Sequence, residues 1–403
     1  MLRAAKSPPA SRTPVPRGIA RTGPAILSYG FRPFFLGAGI FAMLSMLGWI
    51  GALTLGWDIG GSYGILDWHA HEMLFGYTSA ALAGFMLTAI PNWTGRLPVS
   101  GRPLLALVSL WLLGRLVMAV PDLLGLPLSV AIDALFLPLL AVVTAIEITA
   151  GRNWKNLKIL IGLLALSLAN IGFHLSVAFV GTGMAAVRPT VSIYLMLIVL
   201  IGGRIIPSFT RNWLVKAGAK RLPKPFVRFD VASMLALFAA LLAWSLAPGH
   251  GLTIILAVLA AVLQAVRLWR WRGWAVADEP LLLALHVAYG FVPLGLVGIA
   301  MAGLGWIAAP SALHILAVGA IGGMTFAVMA RATLGHTGRP PSASPRLAVA
   351  LLALALAAVL RPFAEILPEA YHLLLGLAGL FWFIAYGLFL IELGPMLLRH
   401  RRG

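Results

Sequence analysis

The chain has 403 residues, 61% of them hydrophobic and only 10% charged, with a mean hydropathy of +0.96 and a formal net charge of +18. Ordinary soluble domains carry about 25% charged residues, so a water-soluble globule is excluded and the bilayer becomes the solvent. A nucleic-acid reader is excluded too, because its Lys and Arg would cluster on one folded face, and here they lie in short connectors between apolar stretches.

The first residues, rich in Pro, Ser and Arg, lack the apolar core of a signal peptide and read as a disordered cytoplasmic tail over 1–26. About 20 apolar residues cross a hydrocarbon core. That ruler predicts twelve helical spans, at 31–56, 70–91, 103–120, 128–149, 157–180, 189–210, 229–247, 251–271, 280–304, 311–333, 346–367 and 370–397. The connectors alternate in charge. Arg96 and Arg102 follow span 2, Arg152, Lys155 and Lys158 follow span 4, and a run from Arg211 to Arg228 follows span 6. Arg270 and Arg272 follow span 8, Arg339 and Arg346 follow span 10, and Arg399 closes the chain. The other connectors are nearly bare, Arg188 excepted, so the positive-inside bias puts both termini in the cytoplasm.

Three even-numbered spans end alike, in AGFMLTAIPNWTGRLP (83–98), IGGRIIPSFTRNW (201–213) and IGGMTFAVMARATLGHTGRPP (321–341). An offset of 243 residues superposes the first on the third, and His71 on His314; an offset of 120 relates the second to the third. The expectation is an all-α polytopic membrane protein of three four-helix repeats, about 27–153, 154–276 and 277–403, in a pseudo-threefold ring. Gly and Ala recur in membrane helices for packing reasons alone, which is the competing account of the likeness.

With no cysteine, disulfides, thiolate zinc sites, iron–sulfur clusters and thiolate-ligated haem are excluded, and the ligand search narrows to nine histidines with Met, Tyr and carboxylates. Ionisable groups inside a bilayer are costly and are functional candidates by default. His69 and His71 lie at the outer end of span 2, followed by Glu72, while His174 and His314 have similar depth on spans 5 and 10. Two residues apart on a helix, His69 and His71 diverge by about 200°. They serve two centres on opposite sides, or one ligates while the other caps the span or meets a propionate. A bis-imidazole haem between His71 and His314 fits their equivalent slots, and a copper can take His69 or His174 with others; bonds to neighbouring carbonyls are the plain alternative. His286 on span 9 suits a second site, and His336 at the inner end of span 10 an interfacial role or metal ligation. His250, His372 and His400 read as loop or end residues. Arg204 and Arg331 can snorkel. Arg115 and Arg361 suit propionates or a paired carboxylate, and Asp133, Glu147, Glu365 and Glu392 either neutralise arginines or relay protons. No nucleotide-binding loop is present, so transport driven by ATP hydrolysis is not expected.

The stretches LSYGFRPFFL (27–36), WHAHEMLFGY (68–77), GFMLTAIPNWTGR (84–96), GGRIIPSFTRNW (202–213), LHVAYG (285–290), ALH (312–314) and LGHTGRP (334–340) together resemble the NnrS family of bacterial membrane proteins. The resemblance covers almost the whole chain after the tail. It implies a haem- and copper-containing protein of the bacterial inner membrane, tied to nitric-oxide metabolism, denitrification and tolerance of nitrosative stress. Carried onto this chain, the histidine-bearing motifs imply metal ligands among His69, His71, His174, His286, His314 and His336. Haem, expected b-type, would use His71 and His314 with Arg115 and Arg361 near its propionates, and Glu72 would deliver protons or orient an imidazole. The expected activity is binding and reduction of nitric oxide with a membrane quinol or another donor. A sensor, a transporter and an assembly protein are the alternatives. Twelve spans in three units are also similar in architecture to the catalytic subunit of haem-copper oxidases. That superfamily's ligands cannot be copied, since span 10 has no HxH pair and spans 6 and 7 no histidine.

Overall fold

The computed structural model describes residues 23–401; the expected tail lies almost wholly outside the described residues. The described chain is helical, with twelve helices long and apolar enough to cross a membrane. They are span 1 (Phe31–Leu55), span 2 (Ile65–Thr94), span 3 (Gly101–Ala119), span 4 (Leu126–Ala150), span 5 (Trp154–Val180), span 6 (Met184–Lys216), span 7 (Arg228–Leu246), span 8 (Gly251–Trp269), span 9 (Pro280–Gly303), span 10 (Ala309–His336), span 11 (Pro345–Ile366) and span 12 (Pro368–Leu398). The number agrees with the sequence reading, and spans 2 and 6 run furthest beyond their expected ends. Span 2 starts at Ile65 because the polar run around Asp67, His69 and His71 is helical and packed inside the bundle, where apolarity alone could not reveal it. Span 6 has 33 residues, about 50 Å at 1.5 Å per residue, and so overruns a hydrocarbon core of about 30 Å.

Burial ranks the spans. Within their apolar windows, 78% of span 2, 67% of span 9 and 56% of span 10 is buried, against 33–44% of the others, so these three make the interior. Spans 2 and 10 share a local irregularity: span 2 is π-wound over Glu72–Tyr77 and span 10 over Ile315–Gly322. The two stretches begin directly after His71 and His314. π-Turns are rare and concentrate at functional sites, since the extra residue breaks the regular bonding ladder and re-aims side chains.

Buried arginines tie distant helices together. Arg32 on span 1 donates to the carbonyls of Met396, Leu397 and Arg399 at 3.1, 3.0 and 2.6 Å, serving carbonyls that the end of span 12 leaves free. Arg267 on span 8 donates to Asp230 on span 7 at 3.2 Å, to the Tyr289 hydroxyl on span 9 at 2.9 Å and to the Val199 carbonyl on span 6 at 3.3 Å. Towards the helix ends, Arg96 pairs with Glu147 and Arg346 with Glu392, so these two carboxylates do neutralise arginines.

Candidate metal centre

Spans 2, 4 and 5 bring His71, Asp133 and His174 together, with one ligand atom of each lying within 4.8 Å of the others. All three are at most 2% exposed. The converging atoms are His71 Nε2, His174 Nε2 and Asp133 Oδ2, the carboxylate oxygen lying 3.2 Å from the first and 2.9 Å from the second. Asn170, one helical turn before His174, adds its Oδ1 at 2.9 Å from His71 Nε2 and donates from Nδ2 to Asp133 at 3.1 Å.

The atoms facing away from this point are held from behind. His71 Nδ1 donates to Glu72 Oε1 at 2.8 Å, and the Tyr63 hydroxyl meets His174 Nδ1 at 3.0 Å. Arg115 on span 3 donates to Glu72 Oε2 at 2.5 Å and also to Asp133 Oδ1. Each inward-facing donor therefore has its orientation fixed by an outer partner, the arrangement that metal-ligating imidazoles and carboxylates usually show. His174 Nε2 donates to the Asp133 carboxylate, and because a tyrosine hydroxyl accepts as readily as it donates, the proton can shift to Nδ1 and leave the Nε2 lone pair for a metal. Tyr63 precedes span 2, and burial first, then the Asp133, Glu72 and Asp67 carboxylates, pushes its hydroxyl above the ordinary phenol range. It remains a neutral hydroxyl.

Two glycines make this packing possible. A Cβ on Gly76 would lie 2.5 Å from the Phe41 ring, 2.7 Å from Arg115 Nη1 and 2.9 Å from Glu72 Oε2, and one on Gly114 would lie 3.0 Å from Asp133 Oδ1. The guanidinium reaches both carboxylates because neither helix carries a side chain there.

The donors fit a metal ion. Two imidazole nitrogens and a carboxylate oxygen suit copper, iron or zinc, and a tetrahedral site with bonds of about 2.0–2.1 Å has ligand edges of about 3.3 Å, close to the two edges that Asp133 makes, with the third within 4.8 Å. Charge fits too. Two buried carboxylates face one guanidinium, and the missing positive charge is supplied by an imidazolium or by a metal cation that displaces its proton.

The other expected residues fall elsewhere. The pairing of His71 with His314 is not formed: both ring nitrogens of His71 face Glu72, Asn170 and Asp133, and its ring lies 4.6 Å from that of His174. The reason is the rotation along span 2, which turns His69 rather than His71 towards the side where His314 lies. His69 stacks on Trp49 at 4.3 Å, shares an electrostatic neighbourhood with His314 and Arg361, and has a buried Nδ1 without a hydrogen-bond partner among the described residues. His314 donates from Nδ1 to the Pro310 carbonyl at 2.7 Å. Arg115 and Arg361 each hold protein carboxylates, Arg361 pairing with Glu365 at 2.7 Å. His286 is buried against Thr210 at 2.8 Å with Trp271 nearby, and His336 packs against Tyr29 and Phe31. Neither stands with the His71 group.

A porphyrin is less well provided for. Two apolar cavities, of about 210 and about 70 Å³, have no histidine in their walls, while Trp49 stacks on the face of His69 and leaves its in-plane nitrogens, the atoms that bind iron, uncovered. The His71 group thus fits an ion, and His69 and His314, outside that group, are the imidazoles left for a haem.

Sequence reasoning set Asp133 only among the membrane carboxylates, and it passed over Tyr63 and Asn170. Asn170 was open to discovery as a polar residue four before His174 on a membrane helix. Tyr63 sits in a short turn before span 2, and nothing in its neighbours marks it. His250 behaves as expected of an end residue, accepting from the Leu252 amide at 3.2 Å at the start of span 8. His250→Ala should therefore cost about 1 kcal/mol of stability as a lost cap and leave bound metal unchanged, as thermal unfolding and elemental analysis would show.

The family model described as NnrS protein matches residues 25–401. No curated protein matches the chain.

Proposed function

Since the chain belongs to the NnrS family, we propose that it is a metal-dependent protein of the bacterial inner membrane that binds and reduces nitric oxide, with His71, Asp133 and His174 holding the metal. The observation that carries this reading is the convergence of three buried donors, each fixed from behind by Glu72, Arg115 or Tyr63. Copper is the ion that imidazole donors in a cysteine-free site favour among redox metals. When bound, it would supply one-electron chemistry and a site for a nitrogen oxide.

Reduction of two nitric oxide molecules to nitrous oxide and water consumes two electrons and two protons. The protein's own part is the protons and the geometry. With the ion held by the inward atoms of His71, Asp133 and His174, the proton-carrying groups are those behind them: Glu72 at His71 Nδ1 and the Tyr63 hydroxyl at His174 Nδ1. Arg115 keeps two carboxylates together at low dielectric cost. Electrons come from a membrane quinol or another donor. The charge pattern of the connectors supports cytoplasmic termini and a centre in the outer half of the bilayer. The coincidence of π-turns after His71 and His314 supports the repeat relating the first and third units, and with it the likeness to the oxidase architecture. The haem that the family resemblance implies would draw on His69 and His314, with Arg361 beside them.

The test is metal analysis of the purified full-length protein together with an anaerobic nitric oxide electrode. About one copper per chain and consumption of nitric oxide with reductant, both abolished by a chelator and restored by copper, are expected. Metal-free protein, or consumption indifferent to the chelator, would sink the assignment; binding without turnover would make the protein a sensor or carrier.

A further inference from the structure

Spans 2, 6 and 10 line between them a half-open cavity of about 70 Å³, walled by apolar side chains such as Leu82, Phe85, Ile201 and Met324 together with Thr78, Tyr194 and Thr325. These three hydroxyls are already engaged. Thr78 donates to the Met73 carbonyl at 2.7 Å, Tyr194 to the Leu74 carbonyl at 2.7 Å and Thr325 to the Ile321 carbonyl at 2.7 Å, while the Tyr77 hydroxyl meets Thr325 at 2.6 Å. A buried water needs two to four polar partners; the three hydroxyls have spent their donors and offer only acceptor lone pairs, and nearly all of the open wall is apolar. The cavity is roomy enough, since a water needs only about 10–15 Å³, but its apolar wall favours an apolar guest over water. It is also far below the roughly 300 Å³ at which pockets for larger organic ligands begin.

We propose that this cavity is a holding site for an apolar diatomic gas passing from the bilayer to the metal centre; that the gas is nitric oxide rests on the function proposed above. The π-wound turn Glu72–Tyr77 is the wall shared by the two. On one side, Thr78 and Tyr194, which line the cavity, satisfy the Met73 and Leu74 carbonyls of that turn. On the other, Glu72 orients His71, and the Phe75 ring lies 5.2 Å from the His71 ring. A small apolar molecule partitions from water into hydrocarbon for the same reason that this cavity favours it over water, so the bilayer feeds the cavity and the cavity feeds the turn.

Crystals of the full-length protein pressurised with xenon test the cavity without reference to activity. Xenon density between spans 2, 6 and 10 is expected; ordered water there, or no xenon, overturns the proposal. A Cβ on Gly202 meets nothing closer than Ile206 at 3.5 Å, with Tyr289 at 3.8 Å and Met324 at 3.9 Å, so Gly202→Leu fills the space, and Leu82→Phe narrows it from span 2 should the first variant fail to fold. Either should displace xenon and slow nitric oxide binding at the loaded centre at least about ten-fold, with metal content unchanged. Displaced xenon with an unchanged rate overturns the route. Xenon bound in a wild-type protein that never binds nitric oxide supports the gas site and overturns the function proposed above instead.

Discussion

Asp133→Ala is expected to destabilise the bundle by about 3–5 kcal/mol, the cost of breaking a buried ion pair by removing one partner, and to abolish metal binding. Asp133 accepts from Arg115, His174 and Asn170 and faces His71, all of them nearly fully buried. Its removal strands a guanidinium that then has Glu72 alone, and leaves two imidazoles without their shared oxygen. Thermal unfolding in detergent, with elemental analysis, reads both effects. The two losses are separable: the double variant Arg115→Met with Asp133→Leu removes both charges together, and should regain much of the stability, because apolar side chains of similar volume often replace a buried pair at little cost. It should not regain the metal. An Asp133→Ala protein that melts like the wild type and keeps its metal would show that these groups do not form a coupled, metal-holding cluster.

The second large effect concerns the imidazoles. His71→Ala and His174→Ala each remove one of three protein donors, so metal affinity should fall by more than the roughly 10–100-fold that loss of an outer hydrogen-bond partner causes. Glu72→Ala should fall within that smaller range, because Glu72 reaches the donor set only from behind, through the far nitrogen of His71 and through Arg115. His336→Ala, whose ring packs against Tyr29 and Phe31, should leave affinity unchanged. Competition titration with a chromogenic chelator separates the three classes. Equal losses in Glu72→Ala and His71→Ala, or metal retained in His174→Ala, would contradict the ligand assignment.

The site was partly legible before the fold. That His71 and His174 sit at similar depth follows from span polarity and distance along each helix, quantities a linear sequence carries, and both belong to the candidate centre. Their partners did not follow. Superposing His71 on His314 compares positions in two helices but says nothing about which way each helix is turned, and a rotation of about 200° between His69 and His71 decides which of them faces span 10. Arg115 was legible as a costly buried cation. That its counter-charges are Glu72 and Asp133 depends on close approach at Gly76 and Gly114, which look like any other small residues of a membrane helix.

Composition, span length and connector charge by themselves determined that the chain is a twelve-span membrane protein and which residue types are left to bind a metal, because transfer into hydrocarbon is summed along the chain and needs no knowledge of neighbours. Only the tertiary structure decided that span 2 is the buried centre, that His71 meets Asp133 and His174 rather than His314, and that an apolar cavity lies beside the π-turn. Those outcomes depend on helix rotation and on contacts between residues up to hundreds of positions apart, and pairwise geometry of that kind is set by packing.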